Sequence, residues 1–546
     1  MKRSGIVFLC LLAGLWFSAA AVKAEELCAT PVTTESGLIK GLAETGTETC
    51  VWRGIPYAAA PVGDLRWKAP QPAPKWEGTR DGSKWGARCM QKGEMEYVNA
   101  DPSKKMSEDC LYLNIWSPKT RDNRRLPVMV WIHGGGYAGG TGNTKMYFGD
   151  RMAETGGLVV VTINYRLNAF GFLTLAALRK EDPNQSAGNY GSLDQVAALK
   201  WVQKNIAHFG GDPNNVTIFG ESAGGWSICT MLATPLAKGA FSKAILESGG
   251  CEQAEPMENG YKKGQTIVDQ VGCKNDDLAC LRKLPAKKIL DATTGGITTG
   301  FNLINHQDGY LLSDTPLNLI RSGNYNWVPF IAGSNHDEVK VLLLLEKDSR
   351  KAPPEQYAEK MKFFEVTDAE IKKLTALYPL SAYDNQPGNA FAQIATDAAL
   401  GCPTYLGLAA TAKYQKEVYY YRFDFDQMRL GKSIGAAHSM EIPFVFNSLD
   451  RSPMSILYGP QQKKIAEPLV PIVQGYWINF AKTGDPNGPG LPPWPKFDLD
   501  SQQVQVLDTQ VRTESAQVAD RCAFWDEYSK THPRLTETMG KKEEKK

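Results

Sequence analysis

The sequence has almost no net charge, no internal repeat and no long Pro/Ser-rich linker. Its 61 lysine and arginine residues nearly balance 59 aspartate and glutamate residues, which leaves a formal charge of +2 at pH 7. This balance gives no electrostatic basis for binding nucleic acid or another polyanion. Hydrophobic residues make up 42% of the chain and charged residues 22%, as in ordinary soluble globular proteins. These features favour a globular fold that does not bind nucleic acid.

Long apolar runs are also absent, except for residues 5–22. Lys2 and Arg3 precede this run, and it ends in Val22-Lys23-Ala24. A charged start, an apolar stretch and a small residue before polar sequence are typical of a signal peptide, so we expect residues 1–24 to be removed after Ala24. The alternative is an uncleaved membrane anchor, because the run is almost long enough to span a bilayer. With cleavage, the protein is secreted or periplasmic and has no stable membrane span.

Short apolar runs alternate with helical patterns between residues 126 and 250. This alternation predicts an α/β fold with a large, mostly parallel central sheet and helices on both faces. We expect one catalytic domain over residues 25–535 and a charged, disordered tail over 536–546. The predicted strands cover residues 128–132, 158–163, 216–219, 244–246, 328–332 and 418–423.

Two pentapeptides match the pattern Gly-x-Ser-x-Gly, which by itself is a weak signal. The one centred on Ser222 directly follows the apolar run 216–219 and precedes small residues that can start a helix. A sharp strand-to-helix turn of this kind exposes a serine hydroxyl at the edge of a sheet. The second match, centred on Ser433, lies in a polar segment with no strand directly before it. We therefore predict Ser222 as a nucleophile and Ser433 as a chance match.

Three glycines, Gly134-Gly135-Gly136, follow His133 at the end of the predicted strand 128–132. Successive glycine amides can point at one oxygen without interference from side chains, as an oxyanion hole requires. A third donor is expected at the amide of Ala223, directly after the serine. The alternative, a phosphate-binding loop, would need a Lys-Ser/Thr ending, which this segment lacks.

Histidine is scarce, and few of the histidines can serve as a base for Ser222. In hydrolases that carry the serine on such a turn, the acid and then the histidine follow it along the chain. His438 meets this order and follows the predicted strand 418–423 through a polar loop. The other five lie too early, in a turn, in the loop after strand 328–332 or near the C-terminus: His133, His208, His306, His336 and His532.

The acid is expected after strand 328–332, where the sequence reads Gly333-Ser334-Asn335-His336-Asp337-Glu338. Either Asp337 or Glu338 would fix the histidine tautomer and stabilise the imidazolium. Spacing alone does not choose between these two carboxylates.

Ten of the eleven cysteines lie beyond the signal peptide, which suits an oxidising compartment. Cys28 and Cys50 flank a predicted N-terminal hairpin, from which we infer that they pair. Buried free thiols are the simpler interpretation of Cys229 and Cys251. Three further pairs bracket segments of the chain, although spacing does not prove connectivity: Cys89 and Cys110, Cys273 and Cys280, and Cys402 and Cys522.

The chain resembles the type-B carboxylesterase family, which includes the cholinesterases, from about residue 30 to residue 528. The family has the α/β-hydrolase fold. The segments that carry the resemblance are long, and they include Gly54-Ile55-Pro56-Tyr57-Ala58, Glu108-Asp109-Cys110-Leu111-Tyr112-Leu113-Asn114, Asn164-Tyr165-Arg166, Phe209-Gly210-Gly211-Asp212-Pro213 and Phe219-Gly220-Glu221-Ser222-Ala223-Gly224-Gly225.

The resemblance implies a role for residues that spacing leaves open. It places the acid at Glu338, although Val339 stands where the family usually has glycine, and it supports His438 as the base. It implies Gly135, Gly136 and Ala223 as the oxyanion donors. It also implies an internal ion pair between Arg66 and Glu108 and three disulfides: Cys89–Cys110, Cys273–Cys280 and Cys402–Cys522.

The expected activity is hydrolysis of small to medium carboxylic esters through a serine acyl-enzyme, with no metal or organic cofactor. The loop between Cys89 and Cys110 contains no tryptophan for cation–π binding of choline, which disfavours a cholinesterase. Two alternatives stay open: a non-catalytic interaction module that kept the fold, and a lipase for longer acyl chains. The sequence does not indicate an oligomeric state.

Overall fold

The computed structural model describes residues 28–92, 100–119, 124–274, 277–293, 303–341, 353–451 and 453–532. The expected signal peptide, residues 1–24, and the expected tail, residues 536–546, lie outside the described residues.

The strands are short and are spread over the whole described chain. In chain order they are β1 Val32–Thr34, β2 Gly37–Lys40, β3 Leu42–Ala43, β4 Thr49–Pro56, β5 Thr79–Asp81, β6 Tyr112–Pro118, β7 Leu126–Ile132, β8 Val159–Ile163, β9 Gly211–Glu221, β10 Lys243–Glu247, β11 Ala254–Pro256, β12 Asn305–Gln307, β13 Phe330–Asn335, β14 Val418–Phe423, β15 Gln503–Leu507 and β16 Arg512–Ser515.

An eleven-stranded sheet organises the fold, in the order β16-β15-β14-β13-β10-β9-β7-β8-β6-β4-β3. The seven strands from β15 to β8 are parallel to one another. Antiparallel strands extend the sheet at both ends. All six strands predicted from apolar runs lie in the parallel part. The prediction of a large, mostly parallel sheet is confirmed.

Alternate residues of β7 pack on opposite faces of the sheet. Val128, Val130 and Ile132 belong to one hydrophobic core, whereas Met129 and Trp131 belong to a second core. All five are fully buried. Because side chains alternate along a strand, a strand with cores on both sides must be apolar at every position. This explains the continuous apolar runs of the sequence.

Helices cover both faces of the sheet. The helix Ala223–Ala233, which we call the nucleophile helix, packs in the first core, and Val470–Thr483 packs in the second. None of the helices in the described ranges is long and apolar enough to cross a membrane. The remaining helices are Asp150–Gly156, Asn168–Phe172, Ala176–Glu181, Tyr190–Asn205, Met257–Val271, Leu278–Lys283, Ala286–Ala292, Pro316–Arg321, Tyr357–Lys360, Asp368–Leu377, Pro387–Thr396, Cys402–Ala412, Gly431–Ile434, Ile442–Val445, Pro460–Ala466 and Ala519–Ser529.

Five disulfides cross-link the described chain: Cys28–Cys50, Cys89–Cys110, Cys229–Cys251, Cys273–Cys280 and Cys402–Cys522. The expectation of free thiols at Cys229 and Cys251 was wrong. Cys229 lies on the nucleophile helix and Cys251 in the segment after β10, and both are fully buried. Since β10 lies beside β9, the chain returns to the nucleophile helix and brings the two thiols together. The disulfide therefore links the nucleophile helix covalently to the segment that follows β10.

Candidate active site

Four segments with predicted site residues meet at one edge of the sheet. Parallel strands have their carboxyl ends at the same edge, where ligands bind in open α/β sheets. Gly134 follows β7, Ser222 follows β9, Glu338 follows β13, and His438 follows β14. In the sheet, β9, which leads to Ser222, lies directly beside β7, which leads to the glycines. On its other side, β10 separates β9 from β13 and β14, which lead to Glu338 and His438. The topology thus gathers the predicted nucleophile, acid, base and glycines.

Ser222 occupies a strained turn between β9 and the nucleophile helix. Its φ of 58° and ψ of −121° are rare for a residue with a side chain. The Ser222 N–H donates to the Glu247 carbonyl at 2.9 Å, and its carbonyl accepts from the Trp226 N–H at 2.9 Å. A Cβ on Gly224 would lie 2.0 Å from the Ile132 carbonyl oxygen, so only glycine allows this close approach. The sequence motif therefore specifies a turn that presents the serine hydroxyl.

His438 and Glu338 form a direct hydrogen-bonded pair. Nδ1 of the imidazole lies 2.7 Å from Oε2 of Glu338, whose side chain is fully buried. The other carboxylate oxygen accepts from the Asn335 N–H at 2.7 Å, and the His438 N–H donates to the Glu338 carbonyl at 3.1 Å. Because an ionised carboxylate accepts only, Nδ1 carries its proton in this pair. Nε2 is left facing the nucleophile turn.

Asp337 points away from the imidazole of His438. Its carboxylate accepts from Lys340 Nζ at 3.0 Å, contacts His336 Nδ1 at 3.1 Å and accepts from the Ala436 N–H at 3.2 Å. Burial opposes ionisation, but the hydrogen bond and charge of His336, together with Lys340, lower the pKa of Asp337 to about 2. Asp337 thus holds the loop before His438, and Glu338 alone of the two carboxylates contacts that histidine.

Glu221 is a site residue that the sequence analysis did not identify. Its Oε1 lies 3.1 Å from Nε2 of His438 and accepts from Ser439 Oγ at 2.6 Å. It is the residue directly before Ser222 and is buried. The only available signal was its place as the variable residue of the Gly-x-Ser-x-Gly motif. His438 therefore lies between two carboxylates, one on each ring nitrogen.

The glycine segment packs against the nucleophile turn. A Cβ on Gly134 would lie 3.0 Å from Cβ of Ser222 and 2.7 Å from the Glu221 carbonyl oxygen. Gly135 and Gly136 have φ values of 104° and 62°, in the left-handed region that favours glycine. The Gly135 carbonyl accepts from the Ala138 and Gly139 amides at 3.0 Å, which closes the loop. The segment is therefore a fixed turn beside the serine.

The electrostatics of the site are dominated by buried carboxyl groups around His438. Burial opposes a charged imidazole, but Glu221 and Glu338 outweigh it and raise the pKa of His438 to about 10. Burial also raises the pKa of Glu221 and, with the nearby Glu221 charge, that of Glu247 to about 8. Glu441 is fully buried near the same carboxylates, and its pKa is raised well above the ordinary range. Burial therefore favours the protonated forms of Glu247 and Glu441, and the charges of Glu221 and Glu338 favour an imidazolium at His438.

The remaining candidates lie elsewhere. Ser433 is exposed on the short helix Gly431–Ile434. His306 is buried and contacts Thr174 and Glu255. Arg66 forms a two-point ion pair with Glu108 at 2.6 Å, as the resemblance implied. Of the histidines, His438 is therefore the one that contacts both Glu338 and Glu221, the residue directly before Ser222.

The carboxylesterase family model matches residues 29–525. The chain belongs to this family. It is 34% identical to the para-nitrobenzyl esterase of Bacillus subtilis over 89% of this chain and 96% of that protein. It is 35% identical to the fumonisin B1 esterase of Sphingopyxis macrogoltabida, over 88% of this chain and 86% of that protein.

Solved structures give the same result. A thermophilic para-nitrobenzyl esterase superimposes with a TM-score of 0.79 at 32% identity, covering 91% of this chain and all of that one. A carboxylesterase from Geobacillus stearothermophilus gives a TM-score of 0.78 at 34% identity with the same coverage. This carboxylesterase therefore has the α/β-hydrolase fold and hydrolyses carboxylic esters, and the predictions of fold, family and reaction are confirmed.

Proposed function

We propose that Ser222 is the nucleophile of this esterase, His438 its general base and Glu338 the acid that orients the histidine. The observation that carries the proposal is the His438–Glu338 pair at 2.7 Å, with Nε2 directed to the turn that presents Ser222. A base held by a buried carboxylate beside a strained serine turn is the arrangement that acyl transfer uses.

The reaction has two steps. As Ser222 Oγ attacks the ester carbonyl carbon, its proton passes to His438 Nε2, and the tetrahedral intermediate then expels the alcohol, which takes that proton. Water next attacks the acyl-enzyme in the same way and releases the carboxylic acid. In this structure Nε2 of His438 contacts Glu221. For the first step, the imidazole must replace this contact with a hydrogen bond to the hydroxyl of the adjacent Ser222. Glu221 is thus a positioning residue for the resting histidine.

The amides of Gly135, Gly136 and Ala223 are proposed to hold the oxyanion. The two glycines are supported by their left-handed backbone and by the contact of their segment with the serine turn. Ala223 is the first residue of the nucleophile helix, and a helix N-terminus favours negative charge. Preset donors of this kind stabilise charge that develops only in the transition state.

Small to medium carboxylic esters are the proposed substrates, and the outside of the cell or the periplasm is the proposed location. The relatives are named as a para-nitrobenzyl esterase and a fumonisin B1 esterase, which supports an ester substrate. Five disulfides suit an oxidising compartment. The chain has all three residues of the proposed catalytic triad, Ser222, Glu338 and His438, which argues against a non-catalytic module. A lipase differs from this proposal in its preferred acyl length, which can be measured.

A series of p-nitrophenyl esters with acyl chains from two to sixteen carbons tests the substrate proposal. We expect kcat/KM to be highest for short or medium chains and to fall for the longest ones. A maximum at the longest chains, with activation above the solubility limit of the ester, would identify a lipase. If the folded protein hydrolysed none of these esters, the result would support the alternative of a non-catalytic interaction module.

The pH dependence tests the electrostatics around His438. Only a neutral imidazole can accept the serine proton, so kcat/KM should rise with pH through the pKa of His438. Because Glu221 and Glu338 stabilise the protonated form, we expect the midpoint above the ordinary value of about 6.5. Glu221→Gln removes one negative neighbour and should lower the midpoint, which extends activity to lower pH.

The measurement is kcat/KM for a short p-nitrophenyl ester in both proteins, corrected for spontaneous hydrolysis. The glutamine retains an oxygen that can accept from Ser439, so the variant keeps much of the local packing. A wild-type midpoint at or below 6.5, or the same midpoint in both proteins, would contradict the assigned role of Glu221.

A further inference from the structure

A concave surface lies at the amino ends of the parallel strands, opposite the carboxyl edge that carries Ser222, Glu338 and His438. It has a volume of about 650 Å³, within the range typical of small-molecule sites. We call it the aromatic groove, and the residues that matter for its chemistry are Lys238, Phe241, Tyr310, Asn324, Tyr325 and Trp327.

The position of the groove separates it from the catalytic centre. Phe241 and Val328, both in its lining, come just before β10 and β13, at the amino ends of these strands. Ser222 and Glu338 follow the carboxyl ends of β9 and β13. The six residues of β13 span about 20 Å, so a ligand in the groove would not touch the triad.

An exposed tryptophan forms one wall of the aromatic groove. Trp327 is 55% exposed, although its ring is held in place. Its Nε1 donates to the Gly323 carbonyl at 3.1 Å, and the ring stacks on Tyr325 with centroids 5.8 Å apart and packs on Tyr414 at 5.6 Å. With the indole N–H already bonded within the chain, the ring offers a fixed apolar face. Such a face binds another planar apolar group at little cost in side-chain entropy.

The polar groups of the groove favour an anion. Lys238 is exposed in the lining, and none of the described residues that line the groove is acidic. A negatively charged ligand oxygen would pair with Lys238, the charged residue of this lining.

We propose that the aromatic groove binds a small planar aromatic carboxylate. Its ring would stack on Trp327, and its carboxylate would pair with the ammonium group of Lys238. This site is separate from the proposed catalytic function and does not depend on it.

Calorimetric titration of the whole protein with 1-naphthoate tests the proposal. We expect saturable binding that weakens at least tenfold in Trp327→Ala and at least fivefold in Lys238→Gln. Trp327→Phe keeps an aromatic face and should bind within about threefold of the wild type. Lys200→Gln removes another exposed lysine and should leave binding unchanged. Esterase activity of all four variants should equal that of the wild type.

Several outcomes would overturn the proposal. Unchanged binding in Trp327→Ala would place the naphthoate elsewhere, including the substrate pocket. Equal affinity for uncharged 2-methoxynaphthalene, or no effect of Lys238→Gln beyond that of Lys200→Gln, would remove the carboxylate from the recognition. Lack of binding at millimolar naphthoate would reject the site. Circular dichroism of each variant shows whether the fold is retained.

Discussion

Replacing Ser222 with alanine is expected to abolish ester hydrolysis while the protein stays folded. The hydroxyl supplies the bond-forming oxygen, and no other group at the turn can take its place. In serine hydrolases, loss of the nucleophile costs on the order of 10⁶ in kcat. Removal of the hydroxyl does not alter the main-chain hydrogen bonds of Ser222 to Glu247 and Trp226. The activity measured with a short p-nitrophenyl ester should therefore fall to background without a change in thermal stability.

Ser433→Ala is the matched control, because Ser433 occupies the second Gly-x-Ser-x-Gly match and its side chain is exposed. We expect its kcat/KM to equal that of the wild type. Labelling with an organophosphate and peptide mass spectrometry gives an independent readout, with the adduct expected on Ser222. An adduct on any other serine, or retained activity in Ser222→Ala, would show that the nucleophile has been misassigned.

The parallel part of the sheet was predictable from the sequence because both faces of it are buried. β7 is apolar at every position and β8 at every position except Thr162, so both form nearly continuous apolar runs in the sequence. The antiparallel edge strands were not predicted. β16, for example, is polar at all four positions of Arg512–Ser515 and is mostly exposed. Its pairing with β15 depends on contacts between segments and leaves no apolar pattern in the sequence.

The site was predictable where the chain itself makes the turn, and less so where partners come from afar. Gly-x-Ser-x-Gly after an apolar run specifies the backbone of Ser222 locally. The contact of Glu221 with His438 joins residues that are more than two hundred positions apart, and no sequence pattern around Glu221 predicts it. The Cys229–Cys251 disulfide was missed for a similar reason, since it depends on how β10 returns beside the nucleophile helix.

Asp337 and Glu338 could not be distinguished from their spacing because both follow β13 directly. The structure separates them through the turn after Asn335. The Asn335 N–H donates to Glu338 at 2.7 Å and directs this side chain inward to His438. Asp337 is turned outward to His336 and Lys340. The choice therefore depends on the shape of a turn.

Glu338→Gln is expected to lower kcat by about 10⁴-fold, as replacement of the triad acid by its amide does in other serine hydrolases. In the glutamine variant the side-chain oxygen can still accept from the Asn335 N–H, which turns the amide NH₂ to Nδ1 of His438. Nδ1 must then act as an acceptor, so Nε2 carries the proton and cannot take another from Ser222. The amide also lacks the charge that stabilises the imidazolium.

Asp337→Asn tests the same loop without changing a residue that contacts the imidazole of His438. It removes the charge that pairs with Lys340 and His336, both partly exposed, and such pairs contribute up to about 1 kcal/mol. Since 1.4 kcal/mol corresponds to about tenfold in rate, we expect kcat within tenfold of the wild type. Both variants should be assayed with a short p-nitrophenyl ester, with circular dichroism as the folding control. If folded Asp337→Asn lost more activity than Glu338→Gln, Asp337 would be the acid, because only the residue that holds Nδ1 of His438 can have the larger effect.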